Sequence, residues 1–134
     1  MAKITDIEGI GKVYGEKLQA AGVKRVEDLL ELAATPAGRK KLAESVDVDP
    51  KLVLEWANRA DLFRVKGLGG EYTDLLEAAG VDTVPELAQR NPENLLAKMR
   101  EVNEQKNLVR RLPGLEEVRS WVEHAKQLPR KLEF

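Results

Sequence analysis

Gly9 and Gly11, followed by Lys12, recur as Gly67 and Gly69, preceded by Lys66 and followed by Gly70. A G-x-G spacing lets the backbone turn tightly and delivers its amides to the start of a following helix. There the unpaired N–H groups and the positive end of the helix dipole favour an anion. The chemistry open to such a place is the holding of a phosphate or carboxylate, with Lys12 and Lys66 adding charge. The pattern is not a dinucleotide fingerprint, because no strand precedes it and Val13 or Glu71 stands where a third glycine would be. Nor does it contain the G-K-[S/T] of a P-loop. After the second glycine the two copies diverge. IGK leaves an anion site open, whereas LGGE puts Glu71 at the helix start with Asp74 one turn on. Acids there take the dipole for themselves and repel phosphate, so the first copy is the better anion site.

Two basic runs, Arg39, Lys40 and Lys41, then Lys106, Arg110 and Arg111, could hold a nucleic-acid backbone, and a few phosphate contacts would make binding steeply salt-dependent. Glu44, Glu101 and Glu104 lie close in sequence, so a solvated helix face competes with that reading. The chain has no cysteine and one histidine, which excludes disulfides, thiolate nucleophiles, thiolate-held metals and histidine clusters. His124, beside Glu123 and three residues after Trp121, reads as a surface or packing residue with no serine relay near it. Glu27, Asp28 and Glu31 begin a helix, where acids are ordinarily favourable, and are not read as a metal site. No catalytic constellation, metal site or cofactor site is expected, and the chain is read as not an enzyme.

The elements that must position these residues form an internal repeat. At an offset of 58, without a gap, Gly9, Gly11, Tyr14, Leu18, Ala20, Ala21, Gly22, Val23, Val26 and Leu29 match Gly67, Gly69, Tyr72, Leu76, Ala78, Ala79, Gly80, Val81, Val84 and Leu87. Each copy predicts a short helix from Val13 or Glu71 ending at a left-handed Gly22 or Gly80, then a second helix from about Val26 or Val84 with Pro85 in its first turn. Thr35-Pro36 and Asn91-Pro92 open third helices, the latter with a continuation to Pro113 left open. Two tryptophan helices follow, one capped by Asp49 and lined by Leu52, Val53, Trp56 and Ala60, the other by Leu115, Val118, Trp121, Val122 and Ala125. Trp56 and Trp121 are expected in the core, and Tyr14 and Tyr72 in the core or at an interface between subdomains. Because only eight residues precede Gly9, the C-terminal tryptophan helix is the expected substitute for a leading helix of the first unit, in the same chain or in an exchanged dimer. The predicted architecture is all-α, with residues 1–64 and 65–134 as two repeat units packed into one compact domain.

At 134 residues with 43% hydrophobic and 34% charged residues, the composition is that of a globular helical protein. A net charge of -1 provides no global attraction to nucleic acid, so any such binding must be local. No apolar run has the length of a membrane span and the N-terminus lacks a signal-peptide core, so a cytoplasmic location is expected. The terminal LEF is set aside as a candidate expression remnant.

The phrases IEGIGKVYGEKL and VKGLGGEYTDLL resemble the helix-hairpin-helix class: apolar residue, Gly, apolar residue, Gly, then the second helix. Nearly the whole chain is similar to a bacterial domain-of-unknown-function family with two such hairpins. The most characteristic stretches are NRADLFRVKGLGGEYTDLLEAAGVDTVPELAQRNPENL and LVRRLPGLEEVRSWVEHAKQLPR. The resemblance implies a non-catalytic module that binds duplex DNA through its phosphates without reading sequence. It places contacts at the amides around Gly9, Gly11 and Lys12, and around Gly67, Gly69 and Gly70, with Lys12 and Lys66 assisting; on the DNA reading the run Arg39, Lys40 and Lys41 would add a nearby basic surface. Tyr14 and Tyr72 depart from the pattern, which usually has a small residue there. The alternative is a protein-interaction or structural module without nucleic-acid binding. The expected partners are therefore duplex DNA or another protein and no membrane, for a monomer or a helix-exchanged homodimer.

Overall fold

Eight short helices among the described residues, four of them begun by a side-chain cap and two ended by a left-handed residue, account for most of the chain. The computed structural model describes residues 3–7 and 9–133. After a single 3-10 turn at Ile4–Asp6 come α1 (Lys12–Ala20), α2 (Val26–Leu32), α3 (Pro36–Val46), α4 (Pro50–Leu62), α5 (Gly70–Ala78), α6 (Val84–Ala88), α7 (Pro92–Lys106) and α8 (Leu115–Gln127). None of them is long and apolar enough to cross a membrane.

The chain divides into two compact units, one running to Asp61 and including the segment from Arg130, the other spanning Leu62–Pro129. In the first, α3 packs on α1 and α2. Gly38 makes the contact with α2 possible, since a Cβ there would lie 2.3 Å from the carbonyl oxygen of Leu32. The α4 residues Val53, Trp56, Ala57 and Ala60 recur at helical spacing and are all buried, and the Trp56 ring meets Tyr14 of α1. In the second unit α5 packs on α7, and α8 packs on α6 and α7. Their buried side chains, among them Leu75, Leu76, Leu87, Leu95, Met99, Val118 and Trp121, form one apolar cluster.

The repeat survives as hydrogen-bond geometry. Ile7 N–H donates to Ile4 O (3.2 Å) and Ile10 N–H to Ile7 O (3.1 Å), and at the same offset Val65 donates to Leu62 (3.1 Å) and Leu68 to Val65 (3.2 Å). Past the helices, Val23 donates to Leu18 and Val81 to Leu76, both at 2.8 Å. Gly22 and Gly80 have φ of 93° and 95°, as the cap reading predicts. Two tilted ring pairs match as well: Tyr14 with Trp56 at 5.3 Å and 59°, and Tyr72 with Trp121 at 5.2 Å and 49°.

Those pairs correct the expected role of the last helix. α8 does not complete the first unit; it belongs to the second, where Trp121 is the partner of Tyr72, while α4 supplies the corresponding tryptophan of the first. The physical reason is the aromatic pair: each tyrosine of a glycine turn takes the tryptophan of its own copy. The segment that joins the first unit from the far end of the sequence is instead the strap after α8, with Leu132 1% exposed and Glu133 N–H donating to Ala34 O (2.7 Å). Leu132 and Glu133 of the terminal LEF therefore pack as part of the fold, and Phe134 lies outside the described residues. α7 also stops short of the continuation to Pro113, because Asn107 turns left-handed (φ 51°) and Asn103 caps the following chain through both backbone groups of Val109.

Candidate functional site

Each glycine turn leads straight into a helix whose first amides meet no side-chain acceptor among the described residues. Gly9 (φ 92°) and Gly67 (φ 83°) adopt the left-handed conformation that makes the turn. Gly11 and Gly69 are the caps of α1 and α5, and neither helix has a side-chain cap bond. Gly15 N–H is bonded to Gly11 O (2.8 Å) and Thr73 N–H to Gly69 O (3.0 Å). The amides before them, from Lys12 to Tyr14 and from Gly70 to Tyr72, have no carbonyl of their own helix to reach.

Four other helix starts receive a side-chain cap, and at the remaining two an acid of the first turn reaches back to the amides just ahead of the helix. Thr35, Thr83 and Asn91 accept from Gly38, Glu86 and Asn94, and Asp49 accepts from Lys51. Asp28 reaches back to the amides of Lys24 and Arg25, and Glu117 to that of Gly114. Asp28 thus serves its own helix.

Backbone strain does not account for glycine at Gly11 or Gly69. Their φ values, -85° and -99°, suit any residue, and a Cβ at either would meet nothing within 4 Å. The missing side chains leave open space directly over the bare amides.

The side chains expected to assist do not all gather there. Lys12, Lys40, Lys41 and Lys66 are exposed, but Arg39 is 6% exposed. Its guanidinium donates to Ala33 O (2.9 Å) and to Glu133 O (2.7 Å), so Arg39 is a clamp on the strap and not a phosphate ligand in this conformation. Burial pulls its pKa below the usual guanidinium value, and Glu133 opposes that shift. The Lys106, Arg110 and Arg111 run is likewise partly spent, since Arg111 pairs with Glu117 (2.9 Å) and its carbonyl accepts from the Tyr72 hydroxyl (3.1 Å).

The turns also differ in surroundings. Beside the second lies a shallow groove of about 440 Å³ lined by Lys66, Gly67, Glu116, Glu117, Ser120 and Trp121, and Glu71 is exposed on α5. These carboxylates work against an anion. The Lys66 amide is already taken, donating to His124 Nδ1 at 2.9 Å, a contact across 58 residues that no local pattern signals. The first turn presents Lys12 and, where the second has Glu71, an uncharged Val13 that is 66% exposed. Among the described residues no ion pair engages Lys12, Lys40 or Lys41, whereas Arg119, Lys98 and Lys126 of the second unit are paired with Glu93 and Glu116, Glu101 and Glu123. Neither unit is basic as a whole, with twelve residues of each sign in the first and ten basic to eleven acidic in the second. No group of three or more metal-ligating side chains gathers among the described residues.

A family model described as a domain of unknown function (DUF4332) matches residues 8–128. No curated protein and no solved structure matches the chain.

Proposed function

We propose, for a chain that belongs to the DUF4332 family, a non-catalytic role in which the first glycine turn holds phosphates of duplex DNA without reading sequence. The observation that carries this reading is the contrast at the helix starts: four first turns receive a side-chain acceptor and two more have an acid reaching back to the amides just ahead of the helix, whereas the two that follow a G-x-G turn receive neither among the described residues. Open space over bare amides is what a phosphate oxygen needs for close approach. The contacts would come from the Gly11, Lys12 and Val13 amides and the Lys12 ammonium, with Lys40 and Lys41 contributing charge. The second turn, with Glu71, Glu116 and Glu117 around it, would contribute less. Resemblance of both turns to the helix-hairpin-helix pattern supports the same reading.

One observation favours a protein partner instead. Val13 is a large apolar side chain standing 66% exposed beside the bare amides, on a unit with no net charge.

Gly11→Asp separates folding from binding. Aspartate is as good a cap as any residue, and its conformation and space are available, so stability should hold or rise by a few tenths of a kcal/mol. Its carboxylate would occupy the phosphate position. Duplex binding at two salt concentrations should weaken at least about tenfold for Gly11→Asp and for Lys12→Glu, and change little for Gly69→Asp, with a shallower salt slope for Lys12→Glu. Undetectable wild-type affinity at low salt, or affinity retained in Gly11→Asp, would end the reading in favour of the protein-interaction alternative.

A further inference from the structure

We propose that His124 is a pH-sensitive latch on the turn that carries Gly67 and Gly69. This inference is independent of what either turn binds. The Lys66 amide donates to His124 Nδ1 at 2.9 Å, and a ring nitrogen accepts only when it carries no proton. The contact therefore requires the neutral ring with its hydrogen on Nε2. The turn is seated on the end of α8 at several points. Arg64 donates to Pro129 O (2.5 Å), and a Cβ on Gly67 would stand 3.5 Å from the Trp121 indole nitrogen. Between these lies the histidine bond. Protonating Nδ1 turns its acceptor into a donor, sets N–H against N–H, and adds a positive charge beside Lys66.

The charged groups on the elements around α8 do not cancel that change. On the turn stand Arg64 and Lys66, both cationic. On α8, Glu123 is paired with Lys126 (3.2 Å), Glu116 with Arg119 (2.9 Å) and Glu117 with Arg111 (2.9 Å). On α7, Glu93 also pairs with Arg119 (2.8 Å), and on α6 Glu86 is bonded to Thr83 (2.9 Å). Imidazole is the side chain that ordinarily changes charge between pH 5 and 8, and this chain has one histidine. Three residues beyond the other tryptophan stands Arg59, which keeps its charge throughout that range, so the latch is particular to the second copy.

The test follows the Lys66 amide by NMR in the full chain between pH 8 and pH 5, in the wild type and in His124→Asn. Asparagine places an amide oxygen near the Nδ1 position and does not titrate. In the wild type the Lys66 resonance should move with the imidazole's own titration, and its exchange protection should fall roughly five- to tenfold, the worth of one hydrogen bond. In His124→Asn both should stay constant. A neutral ring found with its hydrogen on Nδ1, Lys66 protection that ignores the imidazole titration, or the same pH dependence persisting in His124→Asn would each overturn the latch.

Discussion

Three glycines of the first unit differ in what restrains them, and substitution should rank them. A Cβ at Gly38 would sit 2.3 Å from the Leu32 carbonyl oxygen, so α2 and α3 must part to accept it. Gly9 has room for a side chain but holds φ at 92°, which costs a non-glycine residue about 1–2 kcal/mol. Gly11 has neither restriction. Urea denaturation should therefore find Gly38→Ala costing more than about 2 kcal/mol, Gly9→Ala about 1 kcal/mol, and Gly11→Ala close to nothing. A large loss at Gly11→Ala would give that glycine a folding role and remove the main support for a ligand there. The turn glycines were legible in the sequence because G-x-G before a helix is a local signal. Gly38 was not, because its constraint is a carbonyl on another helix. Arg39 misled for the same reason: three cations in a row describe a surface, but the partner that buries the first of them, Glu133, lies 94 residues away.

At the scale of elements, what could be read was what the chain settles within four residues. Thr35-Pro36, Asp49-Pro50 and Asn91-Pro92 begin helices as their cap-then-proline spelling predicts, and Pro85 lies in the first turn of α6. Asn91→Ala should cost about 1 kcal/mol by freeing the Asn94 amide, and Thr35→Ala a similar amount through Gly38. Helix ends set by longer reach were not readable. Asn107 adopts the left-handed conformation, so Asn107→Gly should preserve or raise stability by up to about 1 kcal/mol, while a β-branched residue there should lower it. Placing α8 needed the Tyr72–Trp121 pair, which order along the chain does not reveal. Counting repeats identified two equivalent tryptophan helices but not which tyrosine each would meet.

At the scale of the whole chain, charge and the strap make separable predictions for the two units, and the two indole N–H resonances, Trp56 in one and Trp121 in the other, report on each. In the second unit the Arg119 hydrogen bond holds the Glu93 carboxyl below its ordinary pKa, and the Arg111 hydrogen bond does the same for Glu117. Carboxyls lowered in the fold stabilise it above their unfolded pKa, about 4.3, and that contribution is lost as pH falls through the folded values. Glu86 runs the other way, raised by its hydrogen bond with Asp82, so its contribution fades as pH rises through its folded value. The net acid effect on Trp121 should be modest and should shrink in salt, because the Glu93 and Glu117 pairs are exposed. The strap predicts a larger effect in the first unit. Removing residues 130–134 uncovers the Leu132 site, unpairs the Ala34 carbonyl and leaves one arm of the Arg39 guanidinium without its acceptor. Loss of the leucine burial together with two hydrogen bonds should lower the stability reported by Trp56 by about 2–4 kcal/mol. Arg39→Lys should reproduce part of that loss, since an ammonium lacks the fork that spans the Ala33 and Glu133 carbonyls. If the truncated chain kept its Trp56-reported urea midpoint, residues 130–134 would be only resting on the first unit, and the cause of Arg39's burial would have to be sought within α2 and α3.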